Sequence, residues 1–457
     1  MKVLPIQHNL EARLVQKNYS MICFMTIFLN KINSSFALNA RKSVFLLTLL
    51  SILACGMGSK AIAQNGIQKE NAIKVDLVSS NDLKNEDVIN GIGKTQNPRI
   101  TVTDGTRDAS FNTGTGVNSN IQALAIQDDG KILLGGVFTS FNGTAANRII
   151  RLNADGSVDN SFVYGSGFDE ADVYVSAILV QSDGKILIAG SFTRYNGTNA
   201  NRIVRLNANG SVDTSFSYGT GFDQLTTILK QQEDGKIIVG GRFTTYKGVT
   251  ANHMIRLNLD GNLDNTFSTG SGFNNFISDI VIQPDGKFIV GGSFESYAGT
   301  TTANRIIRLQ SNGSVDNTFT IGSGFDSVVT TIALQEDGRI IVGGLFANYN
   351  GRGANRFVRL KDNGEFDFSY GSGLNNNLNK AVIQDDGKII LIGRFTSFNG
   401  TAANRLIRLN MNGSVDTSFE YGTGFNDTAE LLEIQADGKL VITGRFSTYN
   451  GSSANRL

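Results

Sequence analysis

The sequence repeats itself with a period close to fifty residues. An Asp-Gly pair followed by Lys or Arg recurs seven times, and its glycines lie 49 to 54 residues apart: Gly130, Gly184, Gly235, Gly286, Gly338, Gly387 and Gly438. A fixed period of this length is typical of repeat architectures, in which one unit is too small to bury its own apolar face. The chain therefore has to fold as an array of similar units that cover one another.

Each unit is predicted to contain four short β-strands. In the first unit, apolar or alternating runs at 121–127, 131–138, 148–153 and 157–162 are bounded by Gly, Asn and Asp. Turns ending at Gly130 and Gly156 indicate tight hairpins between the first and second runs and between the third and fourth. A longer loop, 139–147, joins the second run to the third. No run sustains a helical period, so the fold class is all-β and the unit is a four-stranded antiparallel propeller blade.

The two ends of the repeat region complement each other. The stretch Arg99–Phe111 matches the end of a unit, and Asn455–Leu457 begins a third strand without completing it. We therefore expect a seven-bladed β-propeller with six whole blades and a last blade shared between the N- and C-terminal segments. The alternative is a truncated sequence whose missing part carries further repeats, which would make the match accidental.

The second run of every unit ends in Gly-x-Phe. Glycine inside a strand marks a close backbone approach, and a phenylalanine beside it contributes about 1.5–3 kcal/mol when it is fully buried. We expect the rings to pack between neighbouring sheets. They are Phe138, Phe192, Phe243, Phe294, Phe346, Phe395 and Phe446.

The N-terminal region has the pattern of an export signal. Arg41 and Lys42 precede an apolar run that ends before the small residues leading to Ala63. This is a secretory signal with cleavage after Ala63, and the run is too short to span a membrane. A lipid anchor on Cys55 is the rival interpretation. The predicted localisation is secreted or outer cell surface.

Three segments follow from these patterns. Residues 1–63 form the N-terminal extension and signal, 64–98 a polar linker, and 99–457 the propeller domain. No disulfide is expected, because both cysteines precede Ala63. The net charge of +1 gives no electrostatic reason to expect nucleic acid as a partner, and we expect a monomer.

The sequence predicts no catalytic residues and no metal site of the usual kinds. Only two histidines occur, His8 in the leader and His253 in a repeated position. Ser-His-Asp and Cys-His chemistry and zinc ligation are therefore disfavoured. Paired-carboxylate chemistry stays open, because Asp and Glu are plentiful.

Two polar sets recur in nearly every unit and are expected to be structural, because a buried charge needs a partner in each blade. One is an Asn-Arg pair at the entry of the third strand: Arg148, Arg202, Arg305, Arg356, Arg405 and Arg456. The other is an aspartate set: Asp108, Asp159, Asp213, Asp264, Asp316, Asp367 and Asp416.

A third polar set supplies the candidate binding residues. It lies in the loop that enters the innermost strand of each blade and includes Asp223 and Asp326, while the second unit carries an acidic insertion with Asp169, Glu170 and Asp172. Such residues could form a ring of oxygens near the axis, and oxygen ligands suit Ca²⁺. The alternative is a set of Asx-type turns that bond their own backbone. No cofactor other than this possible Ca²⁺ is expected.

The strings NADGSVDNSF, DDGKILLGGVF and FNGTAANRIIRLN resemble those of the bacterial delta-60 repeat family. The resemblance covers residues 99–457 and implies a β-propeller found in secreted or surface proteins, with no established catalytic activity. Departures are modest: His253 replaces the usual Arg, and the string at 364–367 is expected to shorten the fourth strand of the fifth unit.

Three functions remain open at this point. The favoured one is a binding or adhesion scaffold for an extracellular protein or glycan. A carboxylate-based glycan hydrolase or lyase, with or without Ca²⁺, is the second, and a structural component of the envelope or matrix is the third.

Overall fold

The computed structural model describes residues 105–299 and 301–457. The predicted signal, the linker and residues 99–104 lie outside the described residues. Within that part of the chain, all regular structure is β-strand, and no helix is present that could span a membrane. The all-β prediction is confirmed.

Seven blades follow one another along the chain, each numbered here by its order. The inner strands are Ile121–Ile126, Val175–Val180, Thr226–Gln231, Ile277–Ile282, Val329–Leu334, Leu378–Ile383 and Ala429–Ile434. The second strands are Ile132–Gly136, Ile186–Gly190, Ile237–Gly241, Phe288–Gly292, Ile340–Gly344, Ile389–Gly393 and Leu440–Gly444. The third strands are Ile149–Leu152, Ile203–Leu206, Met254–Leu257, Ile306–Leu309, Phe357–Leu360 and Leu406–Leu409.

Within a blade the strands pair antiparallel in chain order. The inner strand pairs with the second and the second with the third, and a bulge near the start of each inner strand shifts the register. A Cβ at Gly136 would collide with the carbonyl oxygen of Asn120, which explains why Gly-x-Phe needs its glycine. The phenylalanines of this motif are essentially unexposed, as predicted.

The fourth strand is much shorter than the sequence predicts. In blade 1 it is one bridge between Leu152 and Val158, because Asp159 then accepts the N–H of Ser161 and turns the chain away from the sheet. Blade 5 is the exception, with a regular fourth strand, Phe366–Ser369. The prediction of a shortened strand there is therefore wrong, since this strand is longer than its equivalents.

The loop between the second and third strands contains a two-stranded ribbon that the sequence interpretation missed. Its turn is Asn-Gly in five blades, and both turn residues have positive φ, as a tight hairpin requires (φ of 50° and 76° at Asn142 and Gly143). The ribbons pair Ser140–Phe141 with Thr144–Ala145, Arg194–Tyr195 with Thr198–Asn199, Thr245–Tyr246 with Val249–Thr250, Ser296–Tyr297 with Thr301–Thr302, Asn348–Tyr349 with Arg352–Gly353, Ser397–Phe398 with Thr401–Ala402, and Thr448–Tyr449 with Ser452–Ser453.

The hydrophobic core consists of seven clusters among the described residues, each lying between two adjacent blades. The cluster between blades 1 and 2, for example, joins Leu133 and Ile149 to Ile186 and Phe192. The cluster that includes Ile121 and Val441 joins blade 1 to blade 7. Each inner strand also contacts the next around the axis, and the seventh contacts the first. The blades therefore form a closed ring.

The described part of the N-terminal segment, residues 105–111, joins the seventh blade as predicted, while the stretch matching a third strand lies outside the described residues. In blade 3 the hydroxyl of Tyr246 donates to the carbonyl of Gly261 at 2.7 Å. In blade 7 the equivalent Tyr449 donates to the carbonyl of Gly105. A cavity of about 150 Å³ lies between this segment and the second strand of blade 7, lined in part by Gly105, Phe111, Leu440 and Ile442.

Candidate ligand-binding face

Two of the predicted binding residues brace the start of the ribbon in their own blade. The Asp223 carboxylate accepts the backbone N–H groups of Thr244 and Thr245, both at 2.9 Å. Asp326 accepts those of Ala347 and Asn348, at 2.9 and 3.1 Å. The side chains therefore bond a backbone that is 21 or 22 residues further along, and not their own loop as the Asx-turn alternative assumed.

In blade 2 the acidic insertion shifts this role by one residue. Glu170 accepts the N–H groups of Thr193 and Arg194, at 2.7 and 2.9 Å. Asp169 and Asp172 are exposed and make no hydrogen bond or ion pair with another described residue. Of the three acidic groups in the insertion, one is thus used by the fold and two face solvent.

The braced carboxylates are held in the ionised form. Partial burial works against ionisation, but hydrogen bonds from Thr193 and Arg194 lower the pKa of Glu170, and those from Thr244 and Thr245 lower the pKa of Asp223. Other blades use Asn in the same position, for example Asn118, which accepts the N–H of Thr139 at 2.9 Å. The position needs an acceptor oxygen and not a charge.

The five predicted residues are not brought together. Asp223, Asp326 and Glu170 each bond within a different blade. Among the described residues, no group of three or more His, Cys, Asp and Glu could hold a metal ion. The calcium hypothesis therefore stays a prediction without a cluster behind it.

The two repeated structural sets have separate partners. The Arg of the Asn-Arg pair has a left-handed backbone, and its guanidinium reaches the carbonyl of the next loop, as in the 2.9 Å bond from Arg202 to Phe222. The Asp set pairs with a different arginine, three residues later, which the sequence interpretation did not single out: Arg205 Nε lies 2.7 Å from Asp213 Oδ2, and both side chains are buried. The available signal was Arg-Leu after Ile or Val at the end of each of the six third strands.

Pairs like Arg205–Asp213, called here the outer ion pairs, recur around the ring. Arg205 also lies 4.7 Å above the ring of Phe216, and Lys185 approaches Asp213 at 3.5 Å. Desolvation opposes ionisation of Asp213, yet the bonds from Ser215 and the charge of Arg205 lower its pKa to about 2. The same arrangement occurs at Arg151–Asp159, Arg256–Asp264, Arg308–Asp316, Arg359–Asp367 and Arg408–Asp416.

A different position breaks the repeat, the middle residue of Gly-x-Phe. Its backbone N–H donates to the residue just before the inner strand, as in Arg242 to Leu225 at 2.7 Å and Arg394 to Asn377 at 2.9 Å. It therefore lies beside the entrance of the inner strand. We call the seven residues the axial mouth: Val137, Ser191, Arg242, Ser293, Leu345, Arg394 and Arg445.

The three arginines of the axial mouth have different surroundings. The Arg242 guanidinium lies 4.8 Å above the ring of Phe276, which precedes the inner strand of the next blade. Arg445 Nε lies 2.8 Å from Glu430 Oε1, on the inner strand of its own blade. Arg394 is exposed and has no ion pair or side-chain hydrogen bond with a described residue.

Below the mouth, four inner strands carry charges where the others have mostly apolar residues. Lys230 and Glu433 occupy the fifth position of their strands, and Asp279 and Lys380 the third. Asp279 is buried and accepts the N–H groups of Ile280 and Ile332, both at 2.9 Å, so its charge is already satisfied. The side chains of Lys230, Lys380 and Glu433 have no ion pair or hydrogen bond with a described residue.

Glu433 shows that these groups share one opening. Its surface is open to water, but surrounding protein raises its pKa by desolvation, while the ammonium groups of Lys380 and Lys230 act in the opposite direction and Asp279 adds to the increase. Lys230 and Asp279 belong to blades 3 and 4, across the ring from blade 7. Because the seven inner strands contact one another around the closed ring, these charges from opposite blades face a common axial channel.

The comparisons with known proteins agree with this architecture. A propeller family described as "Domain of unknown function (DUF5122) beta-propeller" matches at residues 127–162, 181–216, 232–267, 283–319, 335–370, 384–419 and 435–457. No curated protein sequence matches significantly. The propeller part of the sequence resemblance is confirmed, and the delta-60 name stays a prediction.

Several solved structures share the fold at low sequence identity. The WD40 beta propeller domain of Doa1 has 14% identity and a TM-score of 0.48, with 72% of this chain and 90% of that chain covered. Virginiamycin B lyase from Staphylococcus aureus has 17% identity and a TM-score of 0.43, with 66% and 85% covered. The extracellular domain of a putative hybrid two component system, BT3049, from B. thetaiotaomicron has 13% identity and a TM-score of 0.43, with 71% and 38% covered.

At such identities and scores, these likenesses say nothing about what this chain binds. The family match covers more than half of the chain, in seven consecutive segments that correspond to the seven blades. The chain therefore belongs to the DUF5122 β-propeller family.

Proposed function

We propose that this protein is an exported binding scaffold whose axial mouth holds an extracellular glycan or protein. The observation that carries the proposal is the contrast between positions. The outer ion pairs recur with the same geometry in six blades, whereas the axial mouth has Val, Ser, Arg or Leu depending on the blade. Function usually departs from scaffold where a repeat is broken.

The location of the mouth supports the same proposal. Ligands of ring-shaped and barrel folds bind at openings where several elements converge, because only there can side chains from different elements reach one molecule. Arg242, Leu345 and Arg394 come from blades 3, 5 and 6 and enter on the same side of the ring. The export signal predicted in residues 1–63 is the basis for proposing an extracellular partner.

A matched pair of triple variants tests the proposal. The mouth variant is Arg242→Ser, Leu345→Ser and Arg394→Ser, and Ser already occupies this position in blades 2 and 4. The control variant is Arg194→Ser, Val249→Ser and Arg352→Ser, on the ribbons. There the equivalent residues of other blades are Ser140 and Ser452.

Both variants remove two arginines and one exposed aliphatic side chain. The ribbons lie toward the outer part of the blade, since Tyr246 on one of them reaches the turn at Gly261. The full chain and both variants are applied to an array of extracellular glycans and matrix proteins. We expect the mouth variant to lose its ligand and the control to keep it. Retention by the mouth variant, or equal loss in both, would contradict the proposal.

A further inference from the structure

Positive charge without an ion-pair partner is concentrated in blades 3 and 6 of the axial mouth and channel, whereas the exposed carboxylates Asp169 and Asp172 lie on the entrance loop of blade 2. Of the other acidic groups in the mouth and channel, Glu430 is paired with Arg445, and Asp279 is satisfied by two backbone N–H groups. Asp427, at the entrance of the seventh inner strand, accepts the N–H of Thr428 at 2.6 Å. Among the described residues this leaves Glu433 as the free carboxylate of the channel. Against it stand Lys230 and Lys380 in the channel and Arg242 and Arg394 at the mouth.

These cations are arranged on two sides of the ring. Arg242 and Lys230 belong to blade 3, and Arg394 and Lys380 belong to blade 6, three blades further round. Guanidinium groups bind carboxylates in a two-pronged geometry, while ammonium groups act as point charges. An anionic chain that enters the opening would meet arginines first and lysines below.

The neighbouring side chains favour a sugar chain over a peptide. The residues beside the inner-strand entrances include Asn275 and Asn376, whose carboxamide oxygens accept the next N–H at 2.8 Å, which leaves their NH₂ groups as donors. The ring of Phe276 lies at the same entrance. Donors, acceptors and a flat ring suit the hydroxyls and C–H faces of sugars.

A protein partner would call for a different surface. The centres of protein interfaces are aromatic and apolar. Among the described residues, Leu345 is the large hydrophobic side chain exposed at the axial mouth, and it is 39% exposed. Of the other exposed large hydrophobics, Leu259 and Met411 lie on turns after the third strands, at the opposite ends of the blades, and Val249 lies on a ribbon.

We infer that the axial mouth and channel bind a glycan that carries carboxylate groups, such as a uronic-acid chain, with Arg242 and Arg394 at the rim and Lys230 and Lys380 below. This inference rests on the proposed function and names the ligand class of the same site. The Glu433 carboxylate repels the bound carboxylates and so keeps the affinity for the glycan lower than it would otherwise be.

The test uses the full chain and titration calorimetry with uronic-acid hexasaccharides, namely polygalacturonate, alginate and hyaluronate fragments. The same fragments with methyl-esterified carboxyls serve as neutral probes, and poly-glutamate serves as an acidic peptide. We expect at least one acidic hexasaccharide to bind, its methyl ester to bind at least about tenfold more weakly, and added salt to weaken the acidic form.

Charge-removing variants should change the binding affinity in opposite directions, depending on the charge removed. The double variant Arg242→Ser with Arg394→Ser, and the channel variant Lys230→Val with Lys380→Leu, should each weaken binding by about tenfold or more. Val and Leu occupy the same strand positions in blades 4 and 7. Glu433→Gln should bind more tightly, and the ribbon control Arg194→Ser with Arg352→Ser should bind as the parent does. A general loss of packing could not produce both directions.

The outcomes separate the two proposals. Equal binding of acid and methyl ester, lost in the mouth variant, would overturn the carboxylate inference and leave the mouth as the site. Equally tight binding of poly-glutamate through the same residues would overturn the glycan class. Binding to none of the acidic fragments would overturn the inference outright, while failure of the mouth variant to lose any array ligand would overturn the proposed function.

Discussion

The outer ion pairs and the axial mouth differ in how much their residues vary from one blade to the next. At the outer position, Arg205 and Asp213 recur as the same buried pair in blade after blade. At the mouth, equivalent positions hold Arg242, Ser293 or Leu345, all on the same backbone hydrogen bond pattern. One position is uniform because the framework depends on it, and the other can vary because the framework does not. The comparison teaches that in this ring stability and recognition belong to different residues.

The largest effect should come from breaking one outer ion pair. Arg205→Met leaves the Asp213 carboxylate buried without its main partner, which costs about 3–5 kcal/mol of the free energy of unfolding. The control is Lys361→Met, which removes an exposed pair with Glu365 at 2.8 Å and should cost far less, because water screens that pair. Urea unfolding followed by fluorescence measures both. Similar small losses in the two variants would contradict the claim that the outer ion pairs stabilise the fold.

The tyrosine contacts come next and test ring closure. Tyr246→Phe and Tyr449→Phe each remove a buried hydroxyl that donates to a glycine carbonyl. Each substitution should lower the free energy of unfolding by about 1 kcal/mol. Phe141 and Phe398 already stand in this position in blades 1 and 6, so the substitution introduces no new shape. If residues 105–111 complete blade 7, the two variants lose the same stability. A neutral Tyr449→Phe beside a costly Tyr246→Phe would mean that the seventh blade is closed in another way.

A smaller effect is expected at the pair that joins the ends of the ring. Lys439 Nζ lies 2.7 Å from Asp108 Oδ2 and, with Ser110, lowers the pKa of Asp108 to about 2. A lowered pKa means that the pair stabilises the fold above the ordinary value of 3.8 and ceases to do so as the pH falls toward 2. Both side chains are partly exposed, so Lys439→Met should cost about 1 kcal/mol or less at pH 7.

Thermal melts at pH 7 and pH 2 measure this loss. The parent and Lys439→Met should differ at pH 7 and should converge at the lower pH. A difference that persists unchanged at pH 2 would show that the lysine acts through packing and not through the charge of Asp108.

The smallest stability effect should come from the channel. Desolvation raises the pKa of Glu433, with Lys380 and Lys230 opposing and Asp279 adding to the increase. The folded protein therefore favours the protonated form, so ionisation destabilises it as the pH rises through the raised pKa. Glu433→Gln should melt slightly higher than the parent at pH 8, and the gain should vanish below the ordinary value of 4.5. A lower melting temperature at pH 8 would mean that the lysines hold Glu433 as a stabilising anion.

The framework could be predicted from the sequence because each repeated residue has one physical reason. The period, the Asp-Gly turns and Gly-x-Phe predicted the blades. The matching ends at Arg99–Phe111 and Asn455–Leu457 predicted the closure of the ring. The ribbon was also readable, since Asn142-Gly143 is a strong signal for a two-residue hairpin. The short fourth strand was not, because a local hydrogen bond from Ser161 to Asp159 overrides the apolar pattern.

The candidate site was harder to predict. Charge drew attention to Asp223 and Asp326, yet equivalent asparagines do the same work, so an oxygen acceptor was the real requirement. The informative signal was variation between repeats at a position such as Arg394, flanked on both sides by invariant residues. Which blades face each other across the axis depends on ring closure, and no local pattern in the sequence encodes it.

A serine scan of the axial mouth tests the separation of stability and recognition most directly. Val137, Arg242, Leu345, Arg394 and Arg445 are each replaced by Ser, the residue that blades 2 and 4 already have, and each variant is measured for unfolding and for ligand binding. The account predicts that binding falls at Arg242 and Arg394 while the free energy of unfolding changes by about 0.5 kcal/mol or less. Binding that is unchanged across the scan, or that falls only where the protein is also destabilised, would contradict it.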